Sequence, residues 1–207
     1  MEQNAKGDLY VISAPSGAGK TSLVHALLSS QSALNVSVSH TTRPRRANET
    51  NGVDYHFVSE ADFVAMIDAD AFLEHARVFD HRYGTARESV LTHLAAGEDV
   101  ILEIDWQGAR QVRERHPDCI GVFILPPSRE ALAERLRHRA QDSDEVIARR
   151  LRDAVAEMSH YREFDYLVVN DDFEAAVEDL RSIVRGRRLC LGRQSAAHED
   201  LIASLLV

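Results

Sequence analysis

The chain has 207 residues, 44% hydrophobic and 28% charged, enough to bury a full core as one large domain or a core with insertions. A net charge of −9 argues against nucleic acid as a main partner, because proteins that wrap nucleic acid are usually basic. Met1–Lys6 has no apolar signal core, no apolar run approaches the roughly 20 residues of a membrane span, and the distant Cys119 and Cys190 read as thiols in a reducing compartment; no membrane partner and a cytoplasmic location are expected.

In chain order, a Val/Ile/Leu-rich strand at 8–13 runs into a glycine-rich turn, a helix at about 19–30 and a strand at 35–40. Residues 41–95 interrupt this rhythm. They hold the turn-rich TTRPRRANETNGVDY, a short helix near 60–70 opened by Ser59, a strand-like FLEHA at 72–76, HRYGT at 81–85, and a helix near 86–96 that ends at Gly97. The βα alternation resumes with a strand at 99–104, a helix at 106–115 and a strand at 119–125 stopped by Pro126-Pro127. A helix at 128–139 starts at Ser128, and a second at 143–162 has Asp142 and Glu145 as cap signals. A strand at 166–170, a helix at 172–190 and a terminal helix at 196–205 complete the pattern. The predicted class is α/β, a five-stranded parallel sheet flanked by helices. The expected organisation is a core of 1–40, 97–125 and 161–207, a small mixed α/β insert at 41–96, and a helical lid at 126–160. Of the 24 basic residues, 22 are arginine, and many crowd the lid region.

Residues 13–21, SAPSGAGKT, sit between an apolar strand and a helix, the setting of a P-loop. Gly17 and Gly19 let the backbone curl so that successive N–H groups face phosphate oxygens, and the following helix directs its positive end at the same anion. The expected nucleotide contacts are Ala14, Pro15, Ser16, Gly17, Ala18, Gly19, Lys20, Thr21 and Ser22. Lys20 reaches the β/γ-phosphates, and the Thr21 hydroxyl is the candidate Mg²⁺ ligand. Ala14 stands where the strict pattern has glycine. The ten histidines and two cysteines show no zinc spacing.

Longer blocks are more specific. APSGAGKTSL at 14–23, SHTTRPRRANETNGVDYHFV at 39–58, FLEHARVFDHRYGT at 72–85, ILEIDWQGARQV at 101–112, RLRHRAQDSDEVIARRL at 135–151 and DYLVVNDD at 165–172 together resemble the guanylate kinases over nearly the whole chain. The resemblance implies a P-loop NTPase fold, ATP and GMP (with dGMP a further candidate) as substrates, and Mg²⁺ bound with ATP. It implies that Arg43, Arg46, Tyr55 and Tyr83 hold the GMP phosphate, that Ser39, Glu74, Thr85 and Asp105 surround the guanine, and that Glu49 supports the arginines. Arg135, Arg139 and Arg150 would reach in from the lid, and Asn170 would lie near the adenine. The lid has Ala140 where the family often has glycine, and His40 replaces a commoner small polar residue.

The residues agree with that chemistry. Guanine presents N1–H and N2 amino donors and an O6 acceptor; Glu74 can accept from both donors, while the Ser39 and Thr85 hydroxyls can donate to O6. Taken singly, Tyr55 and Tyr83 read as packing residues, Glu74 as a solvent-facing strand residue and Asp105 as a strand-end carboxylate; only their joint occurrence with the P-loop lifts them above that. Asp105-Trp106-Gln107-Gly108 fits the D-x-x-G of GTP-binding switches, but no N-K-x-D base-reading motif accompanies it. A non-catalytic binding module built on the same fold, or another small P-loop kinase, are the alternatives. The sequence leaves the oligomeric state open, with a homo-oligomer one candidate.

Overall fold

The computed structural model describes residues 6–78, 80–139 and 144–207, without the side chains of His138, Arg139 and Asp144. The Arg139 side chain, Ala140 and the cap residue Asp142 therefore lie outside the described residues.

Five strands, β1 (Leu9–Ser13), β2 (Leu34–Val36), β7 (Asp99–Glu103), β8 (Ile120–Leu125) and β9 (Tyr166–Val169), form one all-parallel sheet in the order β2-β7-β1-β8-β9. The central strand β1 is buried over its whole length. Its alternate residues feed two cores. Tyr10 and Ile12 pack with Leu23, Val24 and Leu27 of α1 (Lys20–Ser30) and with Val177, Leu180 and Val184 of α7 (Phe173–Arg188). Leu9 and Val11 pack with Val90 and Leu94 of α3 (Arg87–Ala95) and Val112 of α4 (Trp106–Arg115). Each such side chain contributes roughly 1.5–3 kcal/mol on burial, whereas a solvent-screened surface pair such as Arg110–Glu163 adds little. The doubly covered apolar sheet expected from the strand composition is thus present at β1, β7 and β8; edge strand β9 leaves Tyr166, Leu167 and Val169 exposed.

A second sheet, in the order β4-β3-β6-β5, is built from β3 (His40–Thr41), β4 (His56–Phe57), β5 (Phe72–Val78) and β6 (His81–Ala86), with α2 (Glu60–Asp68) beside it in sequence. Here the structure corrects the sequence reading. The run 35–40, predicted as one strand, is divided: β2 pairs with β7, the Ser37 amide continues to the Ile101 carbonyl, and His40 then pairs with His56 and Gly84. The apolar-polar pattern is continuous through the point where the chain changes sheets. HRYGT, given no assignment, is most of β6, because its antiparallel partner β5 supplies the ladder.

Helix ends follow local chemistry. Ser59 accepts the Asp62 amide at 3.1 Å, Ser128 the Ala131 amide at 3.0 Å and Asp172 the Ala175 amide at 2.8 Å. At the end of α3, Glu98 N–H donates to His93 O and Gly97 N–H to Leu94 O, a Schellman closure. Helix α5 (Arg129–Arg139) packs on α6 (Asp144–Met158) through Leu132, Leu136 and Ala154. The single helix predicted at 143–162 ends in a 3₁₀ turn at Ser159–Glu163, and the terminal helix predicted at 196–205 is α9 (Glu199–Leu205), parted at His198 from a short helix not anticipated, α8 (Leu191–Ala197).

Asp99, fully buried at the start of β7, ties the C-terminal helices to the sheet. It accepts Arg188 Nε at 2.7 Å, Arg193 Nη1 at 2.7 Å and the Asp8 amide at 2.9 Å. Asp99→Ala is expected to destabilise the protein by about 3–5 kcal/mol, because it leaves the arginines without their buried counter-charge. Urea unfolding would measure this, and a loss under 1 kcal/mol would contradict the role.

Candidate active site

Parallel strands place their carboxyl ends, and the loops that follow, on one edge of the sheet. The loop after β1 and the loop after β7 open there into a cleft of about 650 Å³. Of the residues expected at the site, Ala14, Pro15, Ser16, Gly17, Gly19, Lys20, Thr21, Ser39, Arg46, Tyr55, Glu74, Tyr83, Asp105 and Arg150 line it. The strands of the second sheet thus bring Tyr55, Glu74 and Tyr83 to face a loop more than thirty residues away in sequence.

Gly17 and Gly19 adopt φ of 92° and 94°, a conformation that turns the loop back on itself before α1. Asn170 secures it from behind: its Nδ2 donates to Ala18 O at 2.7 Å and stands 2.5 Å from where a Cβ on Gly19 would lie. Arg135 donates to the carbonyls of Asn170, at 3.0 Å, and Ala18, at 3.4 Å. Asn170, Arg135 and the buried Ala18 therefore brace the loop and are not on the cleft wall; Ser22, in the first turn of α1, is not on it either.

Lys20 points across the cleft floor, with Nζ 3.5 Å from Ile104 O. Desolvation pushes its ammonium pKa down, and the carboxylates of Glu103, Asp105, Glu157 and Glu74 oppose that shift. Thr21 Oγ1 donates to Glu103 Oε2 at 3.1 Å, so a hydroxyl and a carboxylate meet at the mouth of the loop. These are hard oxygen donors of the kind Mg²⁺ takes when phosphates and water complete its shell. No cluster of three or more His, Cys, Asp or Glu suited to a metal occurs among the described residues.

On the opposite wall, Glu49 takes both Arg43 Nη groups, at 2.6 and 3.1 Å, and the Arg46 amide at 2.8 Å. Arg43 lies over the Tyr55 ring at 5.4 Å and is mostly buried, and Tyr55 meets Tyr83 edge-on at 5.9 Å. Arg43 is thus held behind the wall, and Arg46 presents its guanidinium to the cleft.

Glu74 is only 4% exposed, so it is not the solvent-facing residue that strand alternation alone would suggest. It lies opposite Thr85 in the ladder, and the Thr85 hydroxyl donates to its Oε1 at 2.6 Å. A Cβ at position 108 would stand 2.7 Å from Glu74 Oε2, so Gly108 makes room for the carboxylate. This accounts for the glycine in Asp105-Trp106-Gln107-Gly108 without a switch motif. Asp105 Oδ1 accepts the Gly108 amide at 2.8 Å and caps α4. Burial, chiefly, pushes the Glu74 carboxyl up to about 7, with Asp105 adding to the rise and the Thr85 hydrogen bond opposing it.

Three acidic cleft residues were not anticipated from sequence, Glu103, Asp153 and Glu157; the apolar Ala76, Val78, Ile104 and Ala154 complete the lining. An acidic residue closing an apolar strand, as in ILEID, was the available signal for Glu103. For Glu157 the signal was its seven-residue spacing from Arg150, which puts both on one face of α6.

The raised pKa of Glu74 carries a stability consequence. The folded chain keeps a proton there that the unfolded chain loses near pH 4.5, so folded stability declines from about pH 4.5 to about pH 7 and is level above. Glu74→Gln keeps the Thr85 acceptor and removes the charge. It is expected to raise Tm at pH 8 by roughly 2–4 °C for each kcal/mol relieved, with little gain at pH 5. Calorimetry at both pH values checks this; equal gains at the two would contradict it.

Comparison with known proteins converges on one family. The family model for guanylate kinase matches residues 6–187. The guanylate kinases of Nitrosococcus oceani and Methylococcus capsulatus are each 61% identical to the chain, over 97% of it and 98% of their own length. The guanylate kinase of Yersinia pestis is 57% identical over the same shares. The crystal structure of guanylate kinase from Anaplasma phagocytophilum superposes with a TM-score of 0.77 at 31% identity, covering 92% of this chain and 90% of that one. By the family model over most of its length and by relatives at 57–61% identity, the chain belongs to the guanylate kinase family.

Proposed function

We propose that the chain transfers the γ-phosphoryl group of ATP to GMP, giving ADP and GDP, with dGMP as a second acceptor. The observation that carries the reading is the pairing, across one cleft, of the Lys20/Thr21 loop with the buried Glu74–Thr85 pair. ATP phosphates lie on the loop amides and Lys20. The guanine N1–H and N2 donors meet Glu74, and the Ser39 hydroxyl serves O6; Thr85, expected at O6 as well, is buried with its one hydroxyl proton on Glu74 Oε1 and orients that carboxylate instead. With adenine, Glu74 would face an acceptor nitrogen, a buried mismatch. Arg46, Tyr55 and Tyr83 hold the acceptor phosphate, with Arg43 behind them braced by Glu49.

The acceptor phosphate is already nucleophilic at neutral pH, so no side chain need remove a proton. The work of the protein is alignment and neutralisation of charge. Lys20 and Arg150, with Arg139, stabilise charge on the transferred group. Thr21, with Glu103 beside it, would hold Mg²⁺, which when bound neutralises charge on the β- and γ-oxygens. Residues 1–40, 97–125 and 161–207 act as the nucleotide-binding core, 41–96 as the acceptor subdomain, and 126–160 as a lid that excludes water. No helix among the described residues is long and apolar enough to cross a membrane, which is compatible with action on free nucleotides in the cytoplasm.

An ADP-release assay with ATP, Mg²⁺ and a panel of GMP, dGMP, AMP, CMP, UMP and dTMP tests the reading; turnover is expected with guanine acceptors, and a preference for AMP or a pyrimidine would overturn it. In the same assay Lys20→Met should lower kcat by roughly a hundredfold or more. Glu74→Gln should lower kcat/KM for GMP at least tenfold, from the loss of charge-assisted bonds worth about 1.5–3 kcal/mol each, and narrow the preference over AMP. Arg46→Ala should raise KM for GMP and leave that for ATP nearly unchanged.

A further inference from the structure

Helix α6 touches the phosphate loop at two points on one face. Arg150 Nη2 donates to Ser16 Oγ at 3.1 Å, and two turns on, Glu157 Oε2 accepts the Ser16 amide N–H at 3.2 Å. The second contact is unexpected for a residue lining this cleft. A carboxylate has taken a donor from the rim of the very loop whose amides serve phosphate, in a cleft that already holds Glu74, Glu103, Asp105 and Asp153. Glu157 is half-buried, and both its desolvation and the neighbouring Asp105 and Asp153 carboxylates work against its charge. A residue kept there only to shape the loop would not need a negative charge, since any acceptor of similar length would satisfy the amide.

We propose that Glu157 is a positioning residue that stands in for nucleotide phosphate: it draws α6 onto the rim of the loop through the Ser16 amide and yields that amide when a triphosphate enters. The proposal rests on the reading of the loop as the ATP-phosphate site. Arg150 sits on the same helix face and reaches the same residue, so the two contacts have opposite consequences for an incoming anion. Arg150 attracts it. Glu157 repels it until displaced, and the exchange then couples ATP entry to release and re-seating of α6. The carboxylate therefore weakens ATP binding, which is the reverse of what a supporting hydrogen bond would do.

The test is calorimetric titration of the full chain with ATP, and with tripolyphosphate as a probe that has no base, in wild type, Glu157→Gln and Glu157→Ala. Glu178→Gln, which removes a charge from the surface pair with Arg181, serves as the control. Both Glu157 variants should bind ATP and tripolyphosphate roughly three- to tenfold more tightly, the scale of one ordinary hydrogen-bonded competitor displaced at a partly exposed site. GMP binding and the Glu178→Gln values should match wild type. Glu157→Gln is nearly isosteric and keeps a carbonyl acceptor, so it decides the matter if the alanine variant unfolds. Normal wild-type binding with unchanged or weaker binding by Glu157→Gln would overturn this proposal alone. A wild type that binds neither probe would overturn it together with the ATP site.

Discussion

The parallel seating of β1 between β7 and β8 is the constraint on which the site depends. Ile12 lies beside Glu103 in one ladder and Ser13 beside Phe123 in the other, so the loop after β1 leaves the sheet next to the end of β7. Thr21 can meet Glu103 only because of this register, since the two are 82 residues apart in the chain. The register is held by side chains that are almost wholly removed from water on both faces, and a slip of one residue would exchange the two cores. The phosphate loop inherits its precision from that packing.

Charge is the second organising feature. The cleft gathers Lys20, Arg46 and Arg150 with five carboxylates, in a setting where an unpaired charge is costly. Most are assigned partners within the protein: Glu74 has Thr85, Glu103 has Thr21, Asp105 has the α4 amide and Glu157 has the loop. Glu74 is the extreme case. It is buried where a neutral residue would be more stable, and Gly108 is kept small beside it. Stability given up at such a position is intelligible where a double acceptor is wanted for a base edge. The same logic explains why Arg43 is buried against Glu49 and two aromatic rings: it stiffens the wall from which Arg46 projects.

Features that depend on contiguous residues were legible in the sequence. The loop at 13–21 needs only its own glycines, Lys20, Thr21 and the flanking strand and helix, and the buried strands β1, β7 and β8 announce themselves as apolar runs. The caps at Ser59 and Ser128 and the Gly97 terminus are equally local. Features that depend on a partner were not. The run 35–40 looked like one strand because nothing in it marks the change of sheet, and HRYGT in β6 received no assignment because its ladder is made with β5. The C-terminal segment has no buried residue in α8 or α9, so no packing face fixes its period, and its break at His198 left no pattern to read.

At the site the division is the same. The sequence by itself determined the glycine-rich turn at 13–21, a local backbone geometry that few residue types permit, and long specific blocks gave its resemblance to guanylate kinases. Only the tertiary structure decided that Glu74 is buried rather than solvent-facing, that Arg46 and not Arg43 lines the cleft, that Asn170 and Arg135 brace the loop from behind, and that Glu103 and Glu157 belong to the site at all. The reason is physical. The conformation of a glycine turn is set within a few residues, whereas the burial and charge state of a side chain are set by whatever the rest of the fold brings against it.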